Sequence, residues 1–211
     1  MRNDRSWLAP LTGLAFLLVA IVAIAVSGGE SPDPTDSSAR EIIDFYADNE
    51  DGQIISAMLA AVACTLLVFF GATLRQVLRR AEGEGGTLST VAFAGLVIVA
   101  VGLAIDATIT FALVETADDI EPSAVQALSA LYTNDFVPFI VGVQLFLLAL
   151  GISVLRHGAL PKWIGWIAVV LGVIAITPIG FASLLGAVAL VAVISVILAM
   201  RSRAAAPPAA A

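Results

Sequence analysis

Apolar residues in this chain gather into long runs, and charged residues fall almost entirely in the gaps between them. The runs at 8–26, 54–74, 91–114 and 137–155 each suit a helix that crosses a hydrocarbon layer, which takes about 20 apolar residues at ~1.5 Å rise each. A further run, 163–200, is too long for one crossing, and Thr177-Pro178-Ile179-Gly180 interrupts it. Proline disfavours helix in the residue before it, and glycine permits a tight turn. The run therefore splits into 163–177 and 181–200, a hairpin with almost no loop. The pattern predicts an all-α, polytopic transmembrane helix bundle of six spans. It forms a single integral membrane domain over residues 1–203, and the low-complexity tail 204–211 is read as disordered.

Composition supports a bilayer as the solvent. The chain is 60% hydrophobic and 13% charged, with mean hydropathy +1.01. A soluble domain carries about 25% charged residues, so half the usual polar exterior is missing. One cysteine, Cys64, and one histidine, His157, exclude an intrachain disulfide, a multi-thiolate metal site and a bis-histidine haem within this chain. No cofactor and no metal are expected.

Charge then sorts by side. Nine of the ten cations lie at the termini and in alternate loops, and Arg40 alone lies opposite. The positive-inside bias puts the basic side and both chain ends in the cytoplasm, as an even number of spans requires. Thirteen of the 17 carboxylates face outward, so the acidic balance describes an outer surface and gives no reason to expect nucleic acid. The expected location is the plasma (cytoplasmic) membrane of a bacterium. Arg2, Arg5, the first apolar run and Ala25-Val26-Ser27 also fit a secretory signal. A 19-residue apolar run exceeds the roughly 7–15 of such signals, so the first span is read as retained.

Two outer segments carry helix signals. Ser38-Ala39-Arg40-Glu41 matches a capping box, with Ile42, Phe45 and Tyr46 following on one face. Pro122 and Ser123 open a second helix carrying Val125, Leu128, Leu131 and Tyr132. Two short outer interfacial helices are predicted. Ser38-Ala39 stands eleven residues before Asn49 and Ser123-Ala124 eleven before Asn134, each asparagine preceding an acid. Two readings stand: an internal repeat of span, outer helix and span, or ordinary capping chemistry used twice.

On the basic side, Arg79 and Arg80 suit anionic headgroups, and Lys162, Trp163 and Trp166 sit where an aromatic belt forms. Gly-Ala-Leu-Pro-Lys-Trp-Ile-Gly-Trp, the Thr-Pro-Ile-Gly turn and the last apolar span resemble a group of uncharacterised actinobacterial multi-pass membrane proteins. The outer Ser-Ala-Arg-Glu and Phe-Tyr-Ala-Asp stretches resemble the same group. That resemblance covers most of the chain, implies a membrane protein, and implies no activity or catalytic residue.

Asp106 is the only acid within a span, and Gln144 the only amide. Counted from the expected outer ends, Asp106 lies about 12 Å deep and Gln144 about 10 Å, on consecutive helices. Gly95, Gly102, Asp106 and Thr110 share one stripe, and Gln144 shares another with Gly151. Small residues allow close approach, so Asp106, Gln144 and Thr110 form the candidate intramembrane polar site. With no cation in any span, the neutral acid is the expected form. It serves either as an interhelical hydrogen-bond clasp or as a proton or cation site.

No complete set of acid, base and nucleophile can be assembled. Aspartyl proteolysis needs a second acid at the same depth, and His157 lies at the basic interface away from Ser183. The leading expectation is a non-catalytic membrane protein acting through helix packing or as an accessory or assembly subunit, with lipid and a homo-oligomer or membrane-protein partner. The alternative is a small transporter or proton-coupled carrier using Asp106.

Overall fold

Helix follows from the apolar runs, because a backbone without water must satisfy its own N–H and C=O groups. The computed structural model describes residues 8–204, and all regular structure among them is helical. A 3-10 turn, Ala9–Leu11, leads into α1 (Thr12–Val26), followed by α2 (Ala39–Asp48), α3 (Glu50–Glu82) and α4 (Thr87–Thr116). Then come α5 (Pro122–Asn134), α6 (Val137–His157), α7 (Lys162–Ile174) and α8 (Phe181–Ala204). Among the described residues, five helical stretches are long and apolar enough to cross a membrane: Ala9–Val26, Glu50–Glu82, Thr87–Thr116, Pro122–His157 and Phe181–Ala204. The fourth breaks at Asp135 and Phe136 into α5 and α6. By length and hydropathy this is a multi-pass membrane protein.

Several bounds differ from expectation. Helices α3 and α4 overrun the predicted 54–74 and 91–114 at both ends, because helix continues through polar residues once tertiary contacts hold it. Helix α7 has 13 residues, about 20 Å by helix rise, against about 30 Å of hydrocarbon. Turns carry the chain from there to Phe181, and Ser183 Oγ donates back to the Leu171 carbonyl at 2.7 Å, pinning the hairpin. Ala204 closes α8. The rest of the tail expected to be disordered, 205–211, lies outside the described residues, as do Arg2 and Arg5.

The bundle is built around α3 and α4, with α1 against α3, α6 against α4, α7 against α6, and α8 touching α1, α6 and α7. Its core centres on Phe16, Leu67, Phe70, Leu74, Phe146 and Ile194. Large apolar side chains such as Leu18, Phe69, Trp166, Val173 and Leu185 remain exposed on the outside, as a surface meeting lipid requires.

A second cluster caps one end. Ile42, Ile43 and Tyr46 of α2 and Val125 of α5 are buried against Ile109 and Leu113 of α4. The apolar faces of these two helices are thus turned onto each other and onto α4. Both helices close alike: Asn49 Nδ2 donates to the Phe45 carbonyl and Asn134 Nδ2 to the Ala130 carbonyl, each at 2.8 Å. The opposite end holds the α3–α4 and α6–α7 connections with Arg79, Arg80, Arg156 and Lys162. There Ser153 Oγ donates to Glu82 at 2.6 Å, and Arg201 to the Ala159 carbonyl at 2.8 Å. One end of the bundle is acidic, the other basic.

Candidate functional site

The register of α4 on α6 sets the site. A Cβ added to Gly95 would lie 2.6 Å from the Gly142 carbonyl oxygen, and Gly102 faces the ring of Phe139. Carrying this antiparallel register outward brings Asp106 to the level of Asp135, just before α6 begins. The Asp106 carboxyl lies within hydrogen-bonding reach of the Asp135 carboxyl. An ionised carboxylate only accepts, so this contact becomes a hydrogen bond when one of the two carries a proton. Asp106 Oδ1 and Asp135 Oδ2 are buried and receive no hydrogen bond from a donor among the described residues.

Asp106 also lines a cavity of about 520 Å³ between α1, α3 and α4. Thr110 lines it too; that side chain is only 8% exposed and makes no hydrogen bond among the described residues. Ala57, Ala60 and Ala63 of α3 face Phe16, Ala20 and Ala23 of α1 across its deeper part. The α1–α2 loop, with Glu30 and Asp33, forms the mouth together with Tyr46 of α2 and Tyr132 of α5. No Lys, Arg or His lines the cavity among the described residues.

Local chemistry shapes that mouth. Gln53 Nε2 donates to the Ser27 carbonyl at 2.6 Å, satisfying a backbone acceptor that the end of α1 leaves open. Gly52 lets the Val26 carbonyl approach α3, where a Cβ would clash. The Thr35 hydroxyl and then its backbone N–H hold the Asp33 carboxyl below the usual aspartate range. Burial pushes the Tyr46 phenol up, and the Ser31 hydroxyl beside it acts the other way. A phenol so held keeps its proton at neutral pH.

Of the expected polar site, Asp106 and Thr110 come together on one cavity wall and Gln144 does not line it. Gln144 shares the stripe of Gly151, and Gly151 packs on Gly165 and Val169 of α7. That stripe faces away from the α4 contact, and the register sets Gln144 about nine residues, or ~13 Å, deeper than Asp106. Equal counts from two helix ends gave equal depth only on the assumption that the ends are level. They are not, since α4 rises well past the start of α6. Asp135, Tyr132 and Gln53 were missed because each reads as ordinary loop or helix-end polarity. The one available signal was Asp135 standing directly before the apolar run of α6.

The remaining expected residues lie at the basic end. Arg79 and Arg80 are exposed in the last turn of α3, and Lys162, Trp163 and Trp166 are exposed in the first turns of α7. His157 ends α6 there, while Ser183 starts α8 at the other end of the bundle.

Neither a curated protein nor a solved structure is significantly similar to the chain. One family match covers nearly all of the chain: over residues 11–208, it belongs to the family described as a domain of unknown function, DUF4386.

Proposed function

We propose that this protein is a non-catalytic, six-span membrane protein that takes a positively charged small molecule into its cavity from the acidic side, as a small proton-coupled carrier or its binding subunit. Both chain ends and the basic end lie in the cytoplasm on this reading, and the capped acidic end lies outside a bacterial plasma membrane. Helix α7 and the turns after it make up the fifth span, and a thinner or locally deformed bilayer accommodates its length. Trp163, Trp166, Lys162, Arg79 and Arg80 meet the headgroups.

One observation carries the reading. Asp106, with Glu30 and Asp33, lines a cavity of about 520 Å³ that no Lys, Arg or His among the described residues lines. Its size falls within the roughly 300–1,000 Å³ of small-molecule sites. Intramembrane acids that face such a cavity mark ion and proton pathways. A cation at Asp106 replaces the proton that otherwise joins Asp106 to Asp135, which couples the two exchanges. A pure packing role for Asp106 leaves the empty volume beside it without a purpose.

The test uses charge-selective labelling of the full chain in liposomes. Cys64→Ala removes the native thiol, and Ser56→Cys places one in the cavity wall. Membrane-impermeant methanethiosulfonates carrying trimethylammonium or sulfonate are added outside, and each rate is divided by its rate with a free thiol. The cationic reagent is expected to react at least tenfold faster, with the ratio falling at least threefold in Asp106→Asn, where Glu30 and Asp33 remain. Equal normalised rates, or no labelling from the acidic side in folded protein, would overturn the reading.

A further inference from the structure

We infer that the ligand of this cavity is a single-chain amphiphilic cation, an alkylammonium whose head sits by Asp106 between Tyr46 and Tyr132 and whose tail runs down the α1–α3 wall. The inference rests on the carrier reading above and names its ligand class. The cavity is divided along its length. Its mouth carries carboxylates and two phenol rings, while its depth is lined by Phe16, Ala20, Ala60, Ala63 and Leu103. From Gln53 at the mouth to Ala63 is ten residues of α3, about 15 Å by helix rise. That apolar stretch is long, and alanine side chains make no hydrogen bonds. It suits an alkyl chain.

The head group follows by elimination on chemistry. Three acids, Glu30, Asp33 and Asp106, line the cavity with no cation among the described residues, so an anion or phosphodiester is repelled. A neutral head gains nothing from the three carboxylates, whereas a cation is attracted by all of them. A bare metal ion wants a cage of oxygen or nitrogen ligands, and no group of three or more His, Cys, Asp or Glu side chains among the described residues could hold one. An ammonium fits, because aromatic faces attract cations as well as carboxylates do. Tyr46 is 2% exposed and braced edge-on by Phe45, with ring centres 5.3 Å apart at 84°, so it forms a rigid backing, while half-buried Tyr132 is the ring with surface left to meet a cation. Thr110 offers its free hydroxyl on the same side as Asp106.

Protection of Cys64→Ala/Ser56→Cys from the trimethylammonium reagent tests this in liposomes, with hexyltrimethylammonium, tetramethylammonium and hexanesulfonate as probes. Hexyltrimethylammonium is expected to protect at a concentration at least tenfold below that of tetramethylammonium, since about two buried methylenes suffice for that factor. Hexanesulfonate should not protect. Tyr132→Leu should raise the protecting concentration of hexyltrimethylammonium at least fivefold, and Tyr132→Phe should leave it nearly unchanged. Equal potency of the two cations, or protection by the sulfonate, overturns the assignment. Charge-selective labelling that persists while no ammonium protects sinks this ligand class and leaves the carrier reading standing. Loss of charge selectivity itself sinks the carrier reading first.

Discussion

Gly95 of α4 and Gly142 of α6 each occupy the space where the other's side chain would be. A Cβ on Gly95 would lie 2.6 Å from the Gly142 carbonyl oxygen, and one on Gly142 would lie 2.8 Å from that of Gly95. Backbone meets backbone, so neither side can yield as a flexible side chain would. Helices in lipid lack a hydrophobic force between them and depend on such close approach. The pair therefore locks the register that sets Asp106 level with Asp135.

Gly142→Ala is expected to destabilise the protein by about 1–3 kcal/mol, the usual cost of overpacking a tight contact. Thermal unfolding in mild detergent reads this as a lower midpoint. Gly85→Ala serves as the control, because a Cβ there meets nothing within 4 Å. A midpoint for Gly142→Ala equal to that control would show that the α4–α6 seam is looser than described.

The contact between Asp106 and Asp135 predicts non-additive substitutions. Asp106→Ala and Asp135→Ala each remove it, so the double variant should lose less stability than the two losses added together. Groups in direct contact couple by about 0.5–3 kcal/mol. An amide donates to a carboxylate without needing a shared proton, so Asp106→Asn should keep most of the stability that Asp106→Ala loses. Denaturation midpoints of the four proteins in one detergent settle the coupling, and strict additivity would place the two carboxyls apart.

Much of this arrangement is legible in the sequence, and the illegible part has one cause. Hydropathy marks the long helices because lipid demands about twenty apolar residues from each crossing. Ser38 and Glu41 announce the start of α2 because capping is local, and both halves of that box are present. Asp106 and Thr110 stand out as polar groups four apart on one helix face. The partner of Asp106 does not stand out, because depth across two helices depends on register, and Gly95 and Gly142 set it from about ten residues away. The outer helices illustrate the same limit. Their apolar faces are plain, but Ile42 and Val125 find α4 and each other, and no periodicity names the surface that an amphipathic face will choose.

The capping box at α2 makes a prediction about pH. Ser38's backbone N–H and then its hydroxyl hold the Glu41 carboxyl below its ordinary range, with the N–H contact at 2.7 Å. A carboxyl depressed in the folded state adds stability that is fully present above its unfolded value and is lost as pH falls through its folded value. Amide exchange in the first turn of α2 should therefore quicken as pH drops below the ordinary glutamate range, after correction for intrinsic rates. Ser38→Ala should cost that helix about 1 kcal/mol at neutral pH but keep the backbone N–H and so part of the acid dependence, whereas Glu41→Gln, which does not ionise, should flatten it. An unchanged acid profile in Glu41→Gln would assign the pH effect to another carboxylate.

Gln53 links helix geometry to access. Its side chain is 7% exposed, and its amide reaches the Ser27 carbonyl at 2.6 Å, tying the end of α1 to the start of α3 at the cavity mouth. Gln53→Leu fills similar volume and leaves that carbonyl without its partner, at a cost of about 1–3 kcal/mol if it stays buried. The end of α1 relieves this by moving toward water, which opens the mouth between α1 and α3. Ser56→Cys, one turn below Gln53 on the same helix, should then react several-fold faster with both methanethiosulfonates, whatever their charge. Because the carboxylates are untouched, the preference for the cationic reagent should persist. A rise in rate with preserved charge preference identifies Gln53 as the latch of the mouth. A preference lost together with the latch would mean that Gln53, and not Asp106, organises the charge of the site.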